Sequence, residues 1–155
     1  MIREELERME TIRLFGLLIW GEARGEPVEG QIAVACVARN RWQRPRWWGK
    51  NPRSVMLQER QFSAFNPEDA NFALLDHPAE HSSEQVWQQC MWIAEGVYFE
   101  RIMDNTGGAD HYVTSWLMKQ LQERAIQEPN LKHWALEREP TGRIARHVFF
   151  RLESD

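Results

Sequence analysis

The stretch WGEARGEPVEGQIAVACVARNR, residues 20 to 41, decides the fold. Its second half, Ile32 to Ala38, is apolar on every side, as in a helix that is central and buried rather than amphipathic. Pro27 opens that helix, because proline is favoured in a first turn, and Glu29 suits the positive end of the helix dipole. The helix stops before Pro45. Upstream, Leu6, Met9, Ile12, Phe15 and Ile19 recur at three- and four-residue spacing, which predicts one helix from Ile2 to Ala23. Gly25 and Pro27 close it.

Glu22 is the residue out of place in this pattern. It falls four residues after Leu18 and three after Ile19, so it shares the apolar face of its helix. It also falls at the helix C-terminus, where the dipole disfavours negative charge. Both effects raise a carboxyl pKa, and a glycosidase needs a carboxyl that is protonated near neutral pH. The alternative is a solvated glutamate at a frayed helix end. Glu26 and Glu29 follow closely, and a hydrolytic glycosidase needs a carboxyl pair whose separation sets the stereochemistry. The turn at Gly25 makes Glu26 a hydrogen-bonding group of the bend as readily as a partner.

Beyond this stretch, RPRWWGKNPR reads as a loop, with short helices around Ser54–Gln58 and Glu68–Leu75. QFSAFNP is irregular, and Pro78 marks a turn from His77 to His81. Ser82 and Gln85 form a capping box for a long helix to about Met103. HYVTSW suits a strand, and a polar helix covers Ser115 to Ile126. WALEREPTGRIARHVFFRL reads as a hairpin turning at Pro140-Thr141-Gly142. The sum is an α+β domain, mostly helical with a small antiparallel sheet. At 155 residues it is expected to be one catalytic domain, residues 1–155.

The net charge of −4 argues against a nucleic-acid partner, which would call for a basic surface. It also leaves any binding to an anionic polymer to short-range contacts. Eight tryptophans are many for this length, and the loop pair Trp47 and Trp48 suits the apolar faces of sugars as well as packing. Cys36 and Cys90 sit in apolar helical runs and read as free buried thiols. The charged N-terminus carries no secretion signal, and the apolar run Leu14–Trp20 is too short to span a bilayer.

The opening stretch resembles the SleB family of spore cortex-lytic cell wall hydrolases, which show YGEARGE, then EGQ, then an apolar helix ending in NR. SVMLQERQFSAF (54–65), GGADHYVTSW (107–116) and GRIARHVFFR (142–151) resemble later family segments in order. The resemblance implies a lysozyme-like, lytic-transglycosylase-like fold. It implies cleavage of the β-1,4 bond between N-acetylmuramic acid and N-acetylglucosamine, leaving a 1,6-anhydro sugar. It gives Glu22 as the catalytic acid/base, because the first Glu of GEARGE holds that role. Glu26, Gln31, Phe62, Ser63, His111 and Tyr112 fall in matched segments as substrate-binding candidates. Gln31 equally suits a hydrogen bond to the turn, and Phe62 and Phe65 equally suit the core. His147, in an alternating strand, reads as structural. The sequence departs from the family at Trp20, where Tyr is usual, at Ala145, where Gly is common, and at Asp110, where small or apolar residues are typical.

The expected protein is a monomer without cofactor or metal, acting on peptidoglycan glycan strands and not inserted in a membrane. A bare domain without an export signal resembles a phage endolysin, held in the host cytoplasm until released to the wall. Three rivals stand beside this reading. One is a hydrolytic muramidase on the same scaffold. Another is a metal-dependent amidase, for which no HExxH pattern exists and His77 and His81 flank Pro78. The third is a non-catalytic peptidoglycan-binding module.

Overall fold

The structure is a computed structural model that describes residues 1–153. Two helices, α1 (Arg3–Arg8) and α2 (Thr11–Ala23), stand where the spacing predicts one. The chain breaks at Met9 and Glu10, both extended. The Arg53 guanidinium donates to the carbonyls of Leu6, Glu7 and Met9 there. It takes acceptors that a continuing helix would have bonded to its own amides.

The next helix, α3 (Val28–Gln43), is central as expected, with every residue from Ala33 to Arg41 buried. It is followed by α4 (Pro52–Leu57), whose N-terminus is closed reciprocally by Asn51 and Ser54. Two 3-10 turns, Ser63–Phe65 and Phe72–Asp76, and a single turn of helix, α5 (Pro78–His81), lead to α6 (Glu84–Tyr98). Ser83, not Ser82, caps α6: its hydroxyl accepts the Val86 N–H at 3.1 Å. The Ser82 hydroxyl is taken elsewhere, accepting from Trp20 Nε1 and donating to the Pro78 carbonyl, both at 2.9 Å. α6 ends at Tyr98, short of Met103. Glu100 at φ 59° reverses the chain, and the Arg101 and Ile102 amides close on the Gly96 carbonyl.

The sheet is small and antiparallel, in the order β1-β3-β2. β1 (His111–Thr114) precedes α7 (Ser115–Gln127) and the single turn α8 (Trp134–Glu137). β2 (Gly142–Ile144) and β3 (His147–Phe150) form the hairpin, with Ile144 opposite His147. The hairpin therefore turns at Ala145-Arg146, not at Pro140-Thr141-Gly142. Ala145 takes φ 51°, the left-handed conformation that favours glycine. Thr141 instead leads into β2, its amide donating to the Phe149 carbonyl and its hydroxyl to the Thr106 carbonyl.

Helices α2, α3 and α6 enclose the main core, with α2 packed most extensively on α6. A second core lies between the sheet and α7 and α8. Phe149 and Ala109 on Ala33 and Val37 join the sheet to α3. The architecture is thus α+β, mostly helical, as expected. Cys36 and Cys90 are free and buried. Burial pushes the Cys36 thiol up to about 11 and the Cys90 thiol up to about 12. No described helix is long and apolar enough to cross a membrane.

Candidate active site

The C-terminus of α2, the Ser63–Phe65 turn, the end of α3 and strand β1 meet around an open cleft of about 710 Å³. Glu22, Arg41, Ser63, His111, Tyr112 and His147 are among its lining residues.

Glu22 sits in the last turn of α2. Its Oε1 accepts the Ala64 N–H at 3.2 Å, and the Ser63 hydroxyl donates to the carboxyl at 3.4 Å. Gly21 permits this approach: a Cβ on residue 21 would lie 2.5 Å from the Ala64 Cβ. Burial raises the Glu22 pKa. The bond from Ala64 opposes that rise, and the nearby charge of Asp69 adds to it. The result is a carboxyl that opens on a cleft, holds its proton more tightly than usual and is fixed in direction by two donors.

Two groups near Glu22 complete the electrostatics. Tyr112 is held well above the ordinary tyrosine pKa by burial and by the charge of Glu22, with Arg41 opposing. Its phenol is therefore neutral and a hydrogen-bond donor. Arg41 is nearly buried. Its Nε donates to the Asp110 carbonyl at 2.7 Å, and Nη1 to Gln61 Oε1 at 3.3 Å. Burial lowers its pKa from the usual value, yet a guanidinium stays charged at any working pH.

The Asn40-Arg41 pair at the end of α3 fastens the loop that presents β1. Asn40 donates to the Ala109 carbonyl at 2.8 Å and to Asp104 at 3.2 Å. Asp104 organises that loop from inside, accepting from the Thr106 amide and hydroxyl and the Gly108 amide. Gly107 and Gly108, at φ 71° and 81°, supply the left-handed bend. Asp110 follows, fully buried, accepting from His111 Nδ1 at 2.8 Å and from the amides of Leu152 and Glu153. Burial alone would raise its pKa, but these donors outweigh it and hold the carboxyl below the usual aspartate range.

Glu22, Ser63, His111 and Tyr112 thus come together on one cleft. Three other sequence candidates do not line it. Glu26 faces Arg146 at 3.3 Å and His147 at 3.6 Å, as a group of the bend. The buried Gln31 amide bridges the Arg24 carbonyl and Gln89, tying the end of α2 to α6. Phe62 is in the core, under the Arg41 guanidinium at 5.2 Å. His147 borders the cleft, stacked edge-on to Tyr112 at 5.1 Å, with its pKa lowered by burial. The sequence reading passed over Arg41 and Trp134. The signal for Arg41 is an arginine shortly after the apolar run of α3, two residues before the helix ends. Trp20, which departs from the family's Tyr, lies in the core beneath Arg24, away from the cleft. Among the described residues, no three His, Cys, Asp or Glu side chains are gathered where they could hold a metal ion.

The sequence pattern of the Cell Wall Hydrolase family matches residues 25–150. The match begins just after Glu22, so the case for that residue rests on its geometry and the opening motif. A 34-residue stretch is 56% identical to the spore cortex-lytic enzyme of Bacillus subtilis (strain 168), covering 22% of this chain and 11% of that protein. The fold is similar to the crystal structure of the catalytic domain of the Bacillus cereus SleB protein. The TM-score is 0.53 at 23% identity, over 90% of this chain and 88% of that one.

Proposed function

The chain belongs to the cell wall hydrolase family, and from that premise we propose that it is a peptidoglycan lytic transglycosylase with Glu22 as its one acid/base. The observation that carries this reading is the Glu22 carboxyl itself. Burial makes it hold its proton more tightly than an ordinary glutamate, and it faces an open cleft and is aimed by Ala64 and Ser63. Glu22 protonates the glycosidic oxygen between N-acetylmuramic acid and N-acetylglucosamine as the C1–O bond breaks. Positive charge then develops at C1 of the muramic ring. The Glu22 carboxylate next takes the proton of the C6 hydroxyl, whose oxygen closes on C1. One carboxyl serves both steps, the proton is returned and no water is consumed.

A second reading has one observation in its favour. Glu153 also borders the cleft, and a second carboxyl is what a hydrolytic muramidase needs to activate water. Digestion of purified sacculi followed by mass analysis separates the two. Expected are 1,6-anhydro-muramyl ends, lost in Glu22→Gln and kept in Glu153→Gln. Reducing muramyl ends that vanish in Glu153→Gln would establish the hydrolytic mechanism instead. Normal cleavage by Glu22→Gln would remove Glu22 from the role.

A further inference from the structure

Of the eight tryptophans, Trp42 and Trp87 pack in or against the main core, and the other six divide into three pairs. Trp20 and Trp48 are fully buried, and each indole N–H is satisfied, by Ser82 and by the Arg41 carbonyl. Trp92 and Trp116 are exposed away from the cleft that holds Glu22. Trp47 and Trp134 both line that cleft although they lie far apart in sequence. Trp47 is 55% exposed, while its neighbour Trp48 packs inside. The two roles open to this loop pair are therefore divided between them: Trp48 packs as scaffold and Trp47 faces the cleft.

These two rings meet through His111. Trp47 lies 6.1 Å from the imidazole, tilted by 46°, and Trp134 lies 5.1 Å from it at 63°. Trp48 supports the same imidazole edge-on at 6.1 Å. Trp47 is held by its edge contact with Trp48 at 5.5 Å and by the Arg46–Gly49 bridge, whose turn closes through Gly49 at φ 129°. Trp134 rests on Phe150 at 5.3 Å. The buried Asp110 carboxylate stays ionised and so fixes the Nδ1 proton of His111. That contact holds the imidazole in one orientation between the two indoles, as a polar ring.

We propose that Trp47, His111 and Trp134 form a sugar-stacking wall that binds the glycan strand beside Glu22, with Asp110 the positioning residue for His111. The proposal rests on the glycosidase reading and deepens it. A pyranose presents an apolar C–H face and a polar rim. Fixed aromatic faces with one oriented, hydrogen-bonding imidazole between them match both. The two indoles are uncharged, which suits the apolar face of an N-acetylated sugar. The departure from the family at Asp110 acquires a purpose, because a small apolar residue there could not fix the imidazole.

The test is titration of the Glu22→Gln protein with chitohexaose and with peptide-free peptidoglycan strands, followed by tryptophan fluorescence. Trp47→Ala and Trp134→Ala in that background are expected to weaken binding roughly tenfold each, equivalent to about 1.4 kcal/mol. Trp47→Phe should retain most of the affinity, and Trp116→Ala should match its parent. Because Trp134 also packs on Phe150, Trp134→Phe accompanies it. In the active background the same changes should raise KM on sacculus fragments and leave kcat in place. Asp110→Asn should weaken binding and change the His111 ring-nitrogen NMR signature. Absence of binding by the parent, or Trp47 and Trp134 variants that titrate like Trp116→Ala, would overturn the wall. If the wild-type chain releases no glycosidic products but the Trp variants still lose oligosaccharide affinity, the catalytic reading fails and the wall stands.

Discussion

Gly21→Ala tests whether the approach of α2 to the Ser63–Phe65 turn sets the acid. The new Cβ would sit 2.5 Å from the Ala64 Cβ, against a carbon–carbon contact distance of about 3.5–4.0 Å. The turn must therefore withdraw by roughly 1–1.5 Å. The Ala64 N–H to Glu22 Oε1 bond, 3.2 Å long, would open beyond hydrogen-bonding range. Overpacking costs about 1–3 kcal/mol. Removing glycine from a helix interior returns up to about 1 kcal/mol. Net destabilisation is then about 0–3 kcal/mol, a fall in Tm of at most about 12 °C for a chain this size. The larger effect falls on activity, because a 1 Å misplacement of reacting groups costs on the order of 10²-fold.

The pH profile carries the distinctive sign. The Ala64 bond favours the charged form of Glu22 and lowers its pKa, against burial, which raises it. Losing that bond raises the pKa further, so the alkaline limb of kcat/KM should move to higher pH in Gly21→Ala. The assay is turbidity loss of sacculi across pH, with thermal melts on the same samples. Ala64→Gly removes the atom that the new methyl meets, so Gly21→Ala with Ala64→Gly should recover rate and profile together. A Gly21→Ala protein with wild-type rate and pH limb would refute the reasoning. So would a double variant as impaired as the single one.

Glu22→Gln should raise stability at neutral pH. Because the folded Glu22 pKa lies above the ordinary glutamate value, the native state binds more protons than the unfolded chain just above that value, and stability falls as pH rises through this window. Melts of the two proteins should converge near pH 4, and a gap that widens toward acid would contradict the shift. Ala145→Gly should stabilise by about 0.5–1 kcal/mol by relieving a left-handed alanine, read as a Tm gain of about 1–4 °C. A lower Tm would mean that the hairpin does not pay for its strain at Ala145.

What was legible in the sequence follows the range of the forces involved. Helix α3 was legible because burial on all sides writes an unbroken apolar run, Ile32 to Ala38, into contiguous residues. Glu22 was legible because a carboxylate on an apolar face is a local contradiction. The break between α1 and α2 was not, because its cause, Arg53, arrives from more than forty residues away. Ser82 and Ser83 carry the same hydroxyl, and only the Trp20 indole, placed by tertiary packing, decides which of them is free to cap α6. The hairpin was misplaced for a related reason. Pro140-Thr141-Gly142 has turn chemistry, whereas Ala145 has none, and the register of β3 overrides that preference. Glu26, Gln31 and Phe62 lie in the matched segments yet line no part of the cleft. They are spent on holding the bend, the α2–α6 junction and the core. The same segments that resemble the family at the level of sequence therefore split, in space, into Glu22 and Ser63 on the cleft and the residues that hold those two in place.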